Sequence, residues 1–328
     1  MSSLEVHGLC IQYGPITAVD GVDLVIPERG TLGLVGESGS GKSTIARAIV
    51  GLVPVASGEV RIDGMPLRLR GGGARALRRR VQMVFQDPYS SLNPRMTAGE
   101  AIDEALQVNR RLSSAQRWHE VLSLLDLVAL ERGAAGRFPH QFSGGQRQRI
   151  AIARALAADP QVLIADEVTS SLDVSVQANV LNLLRDLQAR LGLSYLFISH
   201  NLSVVRYMSD QVAVMYLGRI VETAPTEDLF SHPQHPYTRA LIDAVPQPGE
   251  RSMARLEGEI PDPRRPPSGC RFHPRCAIGP LVRSGRDICM DVDPQSGTRG
   301  RPHAAACHFA GEAGSPHAPL AAGRTALR

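Results

Sequence analysis

The stretch that decides the fold reads Gly36-Glu37-Ser38-Gly39-Ser40-Gly41-Lys42-Ser43-Thr44. It follows a short apolar segment, residues 31–35, and precedes a segment of helical character, residues 45–50. This order of strand, loop and helix is typical of a phosphate-binding loop, whose backbone N–H groups and helix N-terminus cradle phosphates. The spacing is not the G-x-G-x-x-G of dinucleotide folds. We therefore expect the loop to bind a nucleotide, with Lys42 on the β- and γ-phosphates and Ser43 on Mg²⁺.

Lys42 is the single lysine of the chain, because the 36 Lys and Arg residues comprise one Lys and 35 Arg. An ammonium is a compact charge, whereas a guanidinium is a planar fork, so the two are not interchangeable at a tight site. The loop is therefore the one place where this chain keeps an ammonium.

Composition excludes several classes of protein. With 328 residues, 43% hydrophobic and 21% charged, the chain is that of a globular protein with one large or two ordinary domains. No run approaches the roughly 18 apolar residues of a membrane span, and no secretory signal is visible, so we expect a cytosolic protein that reaches membranes through partners. Net charge is only +4, and the basic, glycine-rich segment at 68–75 lacks neighbouring aromatic residues, so no nucleic-acid partner is expected.

Two further strands are predicted to end in polar residues beside the loop. Residues 162–165 form an apolar run followed by Asp166 and Glu167, and residues 195–198 precede Ser199 and His200. A continuous apolar strand indicates a parallel sheet buried on both faces. At its tip Asp166 would hold Mg²⁺ and Glu167 would activate the attacking water. The alternatives are two acids capping a strand in solvent and a structural histidine.

A second phosphate-seeking helix start is predicted at Ser143-Gly144-Gly145-Gln146, before a helical run at 150–158. Ser143 and Gln146 have the spacing of a capping box, and glycines at a helix N-terminus also favour an anion. Because the chain has one phosphate loop, this helix start is expected to lie over the nucleotide of another chain.

The motifs together resemble the ATP-binding subunits of ABC transporters. In family order they are the Walker A loop at 36–44, the Q-loop residue Gln86, the signature at 143–146, the Walker B strand at 162–167, the D-loop Ser171-Leu172-Asp173 and the switch residue His200. Tyr13, 23 residues before Gly36, stands where the family stacks an aromatic ring on adenine. One departure is Val168, where the family commonly has proline, and it removes no catalytic group.

The resemblance implies an ATPase that works as a head-to-tail dimer, each ATP lying between one Walker A loop and the partner's signature. Gln86 would contact the γ-phosphate and Mg²⁺ and couple them to the permease, and Asp173 would carry contact across the dimer. The implied fold is α/β: a P-loop NTPase core of the ABC ATPase type with an antiparallel β layer and a helical subdomain, plus a small C-terminal domain containing cysteines.

Local patterns indicate how the chain is organised. Strand patterns at 4–13, 18–26 and 59–63 suit the antiparallel layer, and capping boxes at Thr97 and Ser113 begin helices of the subdomain. A hairpin is predicted at 212–222. We expect an ABC nucleotide-binding domain over 1–230 with its helical subdomain at about 90–160, a C-terminal domain over 231–310, and a disordered tail over 311–328.

Four of the five cysteines fall in the C-terminal segment, at Cys270, Cys276, Cys289 and Cys307. Their spacing lacks the close C-x-x-C pairs of common zinc modules. Four thiolates in one small segment of a protein in a reducing compartment could hold zinc or an iron–sulfur cluster, with His273, His303 or His308 as substitutes. Free thiols are the alternative.

This segment resembles the C-terminal domain of oligopeptide/dipeptide importer ATPases, which carries a His235-Pro236-Tyr237 motif and cysteines set like Cys270, Cys276 and Cys307. That resemblance implies a 4Fe-4S cluster. Gln146 in the signature is similar to the second of two ATPase types that pair as a heterodimer. Implied partners are a second ATP-binding subunit, two transmembrane permease subunits and an extracytoplasmic substrate-binding protein, with the chain at the cytoplasmic face of the membrane. The alternatives are a soluble ABC ATPase of DNA repair or translation, a metal-sensing regulator, and an importer of nickel, glutathione or sugar.

Overall fold

The computed structural model describes residues 2–67, 79–87, 91–245, 258–294 and 302–312. The basic segment at 68–75, residues 88–90 after the Q-loop glutamine, and all but the first two residues of the predicted tail at 311–328 lie outside the described residues. No helix in those ranges combines the length and the apolar composition needed to cross a membrane.

The central element is a seven-stranded sheet. Its members in chain order are β3 (Thr31–Val35), β6 (Val81–Val84), β7 (Val162–Asp166), β8 (Ser194–Ile198), β9 (Gln211–Tyr216), β10 (Arg219–Pro225) and β11 (Ala304–Ala305). The spatial order is β11-β10-β9-β3-β8-β7-β6. The strands from β9 to β6 run parallel, and β10 and β11 are antiparallel additions at one edge. Every residue of β3, β7 and β8 is buried, as the continuous apolar runs predict for a sheet covered on both faces.

A second, antiparallel sheet lies against this core. It contains β1 (Ser2–Tyr13), β2 (Ile16–Pro27), β4 (Ser57–Ile62) and β5 (Met65–Pro66) in the order β2-β1-β4-β5. Alternating apolar residues of β1 and β2 are buried against α1 (Lys42–Ile49) and one face of the central sheet. The predicted antiparallel layer is confirmed.

Further α-helices lie in the described ranges, and all but the last cover the other face of the central sheet or form the helical subdomain. They are α2 (Ala98–Asn109), α3 (Ser114–Leu127), α4 (Gly144–Leu156), α5 (Val174–Leu191), α6 (Leu202–Met208), α7 (Thr226–Ser231), α8 (Pro236–Asp243) and α9 (Ile288–Asp291). The predicted capping boxes at Thr97, Ser113 and Ser143 are all present, each with both reciprocal hydrogen bonds. These polar caps fix where α2, α3 and α4 begin.

The segment after residue 230 shares the core of the preceding domain. Strand β11 pairs with β10, through Ala304 and Ala305 opposite Thr223 and Glu222. Tyr237 and Phe272 are 0% and 2% exposed and belong to the same hydrophobic cluster as the helical subdomain and one face of the sheet. The C-terminal segment is thus packed directly on the sheet that carries the phosphate loop.

Candidate nucleotide-binding site

Two neighbouring backbones close tightly around the phosphate loop. A Cβ at Gly36 would lie 2.1 Å from the carbonyl oxygen of Met215, and one at Gly41, whose φ is +109°, would lie 2.5 Å from that of Ala18. No other residue type fits these positions. Ser38 and Gly39 are exposed at the loop tip, with nothing within 4 Å of a Cβ at Gly39, so that side of the loop is open to a ligand.

The Lys42 ammonium is folded back into its own loop. Its Nζ donates to the carbonyl oxygens of Gly36 and Glu37, both at 2.8 Å, and to Ser40 Oγ at 3.3 Å. Burial lowers the pKa of Lys42, while the carboxylates of Glu167 and Asp166 act in the opposite direction. The loop therefore holds a desolvated ammonium at the start of a helix, where a phosphate can replace carbonyl oxygens as its partner.

Ser43 and Asp166 meet at the carboxyl end of β7. Ser43 Oγ donates to Asp166 Oδ1 at 2.9 Å, which joins the Walker A loop to the Walker B strand. Burial raises the pKa of Asp166, and the Ser43 hydrogen bond opposes that shift. A hydroxyl and a buried carboxylate at hydrogen-bond distance are a donor set that suits Mg²⁺, which prefers few protein oxygens beside phosphate oxygens.

Glu167, Gln86 and His200 converge from three strand ends. Gln86 Nε2 donates to Glu167 Oε2 at 2.7 Å, and His200 Nδ1 lies 3.4 Å from Glu167 Oε1. The Glu167 side chain is 19% exposed and that of His200 is 61% exposed. The carboxylate is thus oriented by two neighbours while remaining accessible to water, as a general base requires.

The backbone of Glu167 is in the left-handed region, at φ +49°. Its N–H donates to the carbonyl oxygen of Ile198 at 2.9 Å, and its own carbonyl accepts from the N–H and the hydroxyl of Ser170. A non-glycine residue in this region is uncommon and needs such support. Val168, at the family's proline position, is buried. The sequence does not reveal this strained turn, which aims the carboxylate.

The signature forms the exposed N-terminus of α4. Ser143 Oγ accepts from the N–H of Gln146 at 3.3 Å, and the Gln146 side chain accepts from the N–H of Ser143 at 3.0 Å. A Cβ at Gly145 would lie 2.3 Å from Val176 Cγ1, and one at Gly144 would lie 3.3 Å from Leu172 Cδ2. The two glycines therefore let α4 pack closely against the D-loop and α5 of the same chain.

Two predicted contact residues lie at the surface. Asp173 caps α5 with its carbonyl oxygen, which accepts from the N–H of Gln177, and its side chain makes no capping hydrogen bond. Tyr13 ends β1 and is 45% exposed. Both are thus available for the ligand or partner contacts that the resemblance implies. The structure thus brings together six of the predicted site residues beside the phosphate loop: Lys42, Ser43, Gln86, Asp166, Glu167 and His200.

One contact of the phosphate loop has no signal in the local sequence. Glu37 forms a bidentate ion pair with Arg275, with N···O distances of 2.7 and 3.0 Å, across 238 residues of sequence. The N–H of Glu37 also donates to the hydroxyl of Tyr237 at 2.9 Å. Tyr237 and Arg275 both belong to stretches that resemble the importer C-terminal domain, the His-Pro-Tyr motif and the cysteine set, but nothing in either stretch pointed to the loop.

The four C-terminal cysteines are free thiols in one segment. The N–H of Cys270 donates to the carbonyl oxygen of Cys289 at 2.9 Å. Burial raises the pKa of Cys270 to about 12 and the pKa values of Cys276 and Cys307 to about 11, with a further rise from neighbouring thiolates. In the part of the chain that the structure describes, no three His, Cys, Asp or Glu side chains are grouped closely enough to hold a metal ion. The arrangement as it stands does not fit a bound cluster.

Comparison with known proteins agrees with this geometry. Residues 19–170 match the family model described as ABC transporter, and residues 221–279 match the model described as oligopeptide/dipeptide transporter, C-terminal region. The dipeptide transport ATP-binding protein DppF of Haemophilus influenzae is 50% identical over 273 residues, which is 82% of this chain and 84% of that protein. A protein of Brucella abortus that is named as a peptide import ATP-binding protein is 53% identical over 283 residues, which is 85% of this chain and 83% of that protein.

Solved structures are similar over the nucleotide-binding part. The cbiO1 protein of Clostridium perfringens, part of an ABC transporter complex, has a TM-score of 0.64 and 29% identity over 70% of this chain and 90% of that one. The ATP-binding cassette MJ0796, in a dimer bound to ADP and phosphate, has a TM-score of 0.61 and 30% identity over 68% and 98%. The chain belongs to the ABC transporter family as an ABC ATPase, and its C-terminal region is that of the oligopeptide/dipeptide transporters.

Proposed function

We propose that the chain is the ATPase subunit that powers peptide import through an ABC transporter. The observation that carries the catalytic half is the convergence of Ser43, Asp166, Glu167, Gln86 and His200 beside the Lys42 loop. The names of the relatives and the match of residues 221–279 to the oligopeptide/dipeptide transporter region support peptides over nickel, glutathione or sugar, and an importer over a soluble DNA-repair or translation ATPase.

In the proposed reaction, Lys42 leaves its loop carbonyls to bind the β- and γ-phosphates of ATP. Ser43, Asp166 and Gln86 would hold Mg²⁺, which when bound neutralises charge on the phosphates. Glu167 orients and deprotonates the attacking water, and its oxygens are positioned by Gln86 and His200. Positioned charge of this kind is the main source of catalysis in phosphoryl transfer.

The signature would complete the site of a second ATPase subunit. Ser143, Gly144, Gly145 and Gln146 sit at an N-terminus of α4 that carries orphan N–H groups, a preferred position for phosphate. Tyr13 would stack on adenine, and Asp173 would contact the partner across the dimer. We favour a heterodimer because Gln146 is similar to the second of the two ATPase types.

The contact with the permease is proposed to lie in a cleft of about 350 Å³ between the edge strand β6 and the helical subdomain, lined among others by Phe85, Glu104, Val108 and Arg154. Phe85 is 39% exposed and precedes Gln86, whose amide reaches the base Glu167. A permease helix bound in this cleft would contact Phe85 and, through the neighbouring Gln86, would change the position of the Glu167 carboxylate. Such contact would hold the chain at the cytoplasmic face of the membrane.

A metal cluster on Cys270, Cys276, Cys289 and Cys307 remains a separate proposal. Its support is the donor set, four free thiols in one short segment. The four sulfur atoms would hold the metal as thiolates, and burial, which raises the pKa values of all four thiols, opposes their deprotonation. Anaerobic absorption spectra with iron and zinc analysis would identify 4Fe-4S or zinc, and a protein free of both would reject the proposal.

The transport proposal is tested by reconstituting the chain with its second ATPase, both permease subunits and the binding protein in membranes. We expect ATP hydrolysis to rise when the binding protein carries a dipeptide or a longer peptide. Binding protein loaded with glutathione, a nickel chelate or a sugar serves as the comparison. Hydrolysis stimulated only by one of these, or a chain that never sediments with permease-containing membranes, would overturn it.

A further inference from the structure

Every polar group of Glu37 is engaged, although this residue occupies a variable position of the phosphate-loop pattern. Its carbonyl oxygen accepts from Lys42 Nζ at 2.8 Å, and its N–H donates to the Tyr237 hydroxyl at 2.9 Å. Its carboxylate is held by both terminal nitrogens of Arg275. The two residues that hold Glu37 from outside the loop both come from the C-terminal segment.

The charge of Glu37 gives this contact a consequence for ligand binding. A carboxylate beside a phosphate site repels the ligand, so it lowers affinity unless a cation neutralises it. Arg275 supplies that cation, and its side chain is only 3% exposed, against 23% for Glu37. Solvent screens such a pair weakly, so removal of Arg275 would leave an uncompensated negative charge at the loop.

Arg275 is itself held in place by an aromatic cluster. Its Nη1 donates to the hydroxyl of Tyr216 at 3.3 Å, and its guanidinium lies 5.8 Å from the centre of that ring. Tyr216 packs against Tyr237, with ring centroids 4.7 Å apart, and edge-on against Phe272 at 5.2 Å. The guanidinium is therefore held by Glu37 and Tyr216 of the nucleotide-binding core, and Tyr216 is itself packed against Tyr237 and Phe272 of the C-terminal segment.

A second contact links the same segment to the loop indirectly. Arg271 donates to the carbonyl oxygen of Leu217, and the next residue, Gly218, donates its N–H to the carbonyl oxygen of Ser40 at 2.9 Å. Arg271 also pairs with Asp20 on β2. The C-terminal segment thus contacts the phosphate loop directly at Glu37 and reaches Ser40 only indirectly, through Leu217 and Gly218.

We propose that Arg275 and Tyr237 are positioning residues for nucleotide binding, which neutralise and fix Glu37 so that the C-terminal segment sets the affinity of the phosphate loop for ATP. The inference rests on the proposed function in one respect, namely that the loop binds ATP.

The test measures the dissociation constant of Mg-ATP for the full-length chain, with hydrolysis kinetics where the complex is assembled. Arg275→Gln should weaken ATP binding about tenfold, which corresponds to 1.4 kcal/mol. The double variant Glu37→Gln with Arg275→Gln should bind within about threefold of the wild type, because it has no uncompensated carboxylate. In hydrolysis assays the KM for ATP should rise in Arg275→Gln while kcat changes little.

Matched variants distinguish positioning from loss of fold. Arg206→Gln removes an exposed bidentate pair with Glu227 and should leave ATP affinity unchanged. Tyr237→Phe deletes only the hydroxyl that accepts from Glu37, so it tests the second contact even if Arg275→Gln fails to fold. Unchanged affinity in Arg275→Gln and in Tyr237→Phe would overturn the inference. So would a double variant at least as weak as Arg275→Gln, since that is the behaviour of a purely structural residue. Wild-type chain that binds no ATP would instead overturn the proposed function, and the inference with it.

Discussion

At the scale of single residues, the site depends on the shape of one cation. Lys42 Nζ fits among two carbonyl oxygens and a hydroxyl at 2.8 to 3.3 Å, in a loop closed by the backbones at Ala18 and Met215. A planar guanidinium needs more room and a different arrangement of acceptors. Charge alone therefore does not explain why this chain keeps its one lysine here.

We predict that Lys42→Arg abolishes ATP hydrolysis in the assembled transporter, although the charge is preserved. The loss should exceed about a hundredfold, since a misplaced contact to the transferring phosphoryl group costs that much or more. Phosphate release measures it. Arg190→Lys, the reverse exchange at an exposed position in the last turn of α5, is the control and should keep normal turnover. Near-normal hydrolysis in Lys42→Arg would contradict the assignment of the loop.

Glu167→Gln should still bind ATP but stop hydrolysing it. The amide can keep the hydrogen bond with Gln86, now 2.7 Å from the carboxylate, but it cannot accept the proton of the attacking water. With ATP, the ATPase pair should therefore elute from size exclusion as a closed dimer that persists. Glu131→Gln, in an exposed ion pair with Arg137, should hydrolyse normally and show no trapped dimer. Turnover at the wild-type rate would exclude Glu167 as the base.

At the scale of elements, the sequence predicted what short-range patterns encode. Capping boxes at Thr97 and Ser113 place two helices correctly, and the apolar run ending at Asp166 is a buried parallel strand. It did not predict the left-handed turn at Glu167 or the pairing of Glu37 with Arg275, because both are imposed by distant parts of the chain. Local patterns carry periodicity and caps, but no record of which remote side chain completes a site.

Close packing between α4 and α5 gives a prediction about Gly145. Because a Cβ there would meet Val176 Cγ1 at 2.3 Å, Gly145→Ala should lower the free energy of unfolding by about 1–3 kcal/mol. Adding Val176→Ala should restore most of it by removing the contacting methyl groups. Chemical denaturation of the four proteins measures the effect. Gly133→Ala, where a Cβ meets nothing within 4 Å, is the control. A double variant no more stable than Gly145→Ala would reject this packing argument.

The N-terminus of α8 gives a prediction about acid stability. His235 accepts a hydrogen bond from the N–H of Tyr237 and lies near the buried Glu222, which also pairs with His303. Burial lowers the pKa of His235 to about 4, from an unfolded value near 6.5. As the pH falls, the imidazole is therefore protonated in the unfolded chain before it is protonated in the folded chain. The contribution of the neutral His235 to the free energy of unfolding is fully present above pH 6.5. It is lost as the pH falls toward 4, by at most about 3 kcal/mol.

Comparison of the wild type with His235→Asn isolates this contribution. Asparagine can accept the same capping hydrogen bond but does not titrate. The free energy of unfolding, measured by denaturation at a series of pH values between 7.5 and 4, should therefore decrease less for His235→Asn than for the wild type. The difference should develop below about pH 6.5. Equal slopes for the two proteins would assign the acid sensitivity to other groups.

At the scale of the whole molecule, the C-terminal segment is tied to the nucleotide-binding core by three kinds of contact. Strand β11 extends the central sheet, Tyr237 and Phe272 enter its hydrophobic core, and Arg275 pairs with the phosphate loop. The domain boundary near residue 230 is indicated by a change in amino-acid composition, and it remains a prediction. Physically, the parts on either side of it share one core.

We therefore predict that a chain ending at residue 231 is strongly destabilised. Loss of the fully buried side chains of Tyr237 and Phe272 lowers the free energy of unfolding by about 1.5–3 kcal/mol each. Loss of β11 exposes an edge of the central sheet. The two side chains together account for about 3–6 kcal/mol, a large part of the 5–15 kcal/mol by which a typical domain is stable. The truncated chain should aggregate or unfold many degrees below the full chain, as followed by thermal denaturation and limited proteolysis.

A chain ending at residue 312 is the matched control for this truncation. It keeps every contact of the C-terminal segment named above and lacks only residues 313–328, which belong to the stretch that the sequence predicts to be disordered. Its melting temperature and ATP affinity should equal those of the full chain. If the chain ending at 231 instead melted at the same temperature and bound ATP with the same affinity, the two parts would be independent domains. The contacts of Tyr237 and Arg275 with the loop would then contribute nothing measurable to the stability of the chain or to its affinity for ATP.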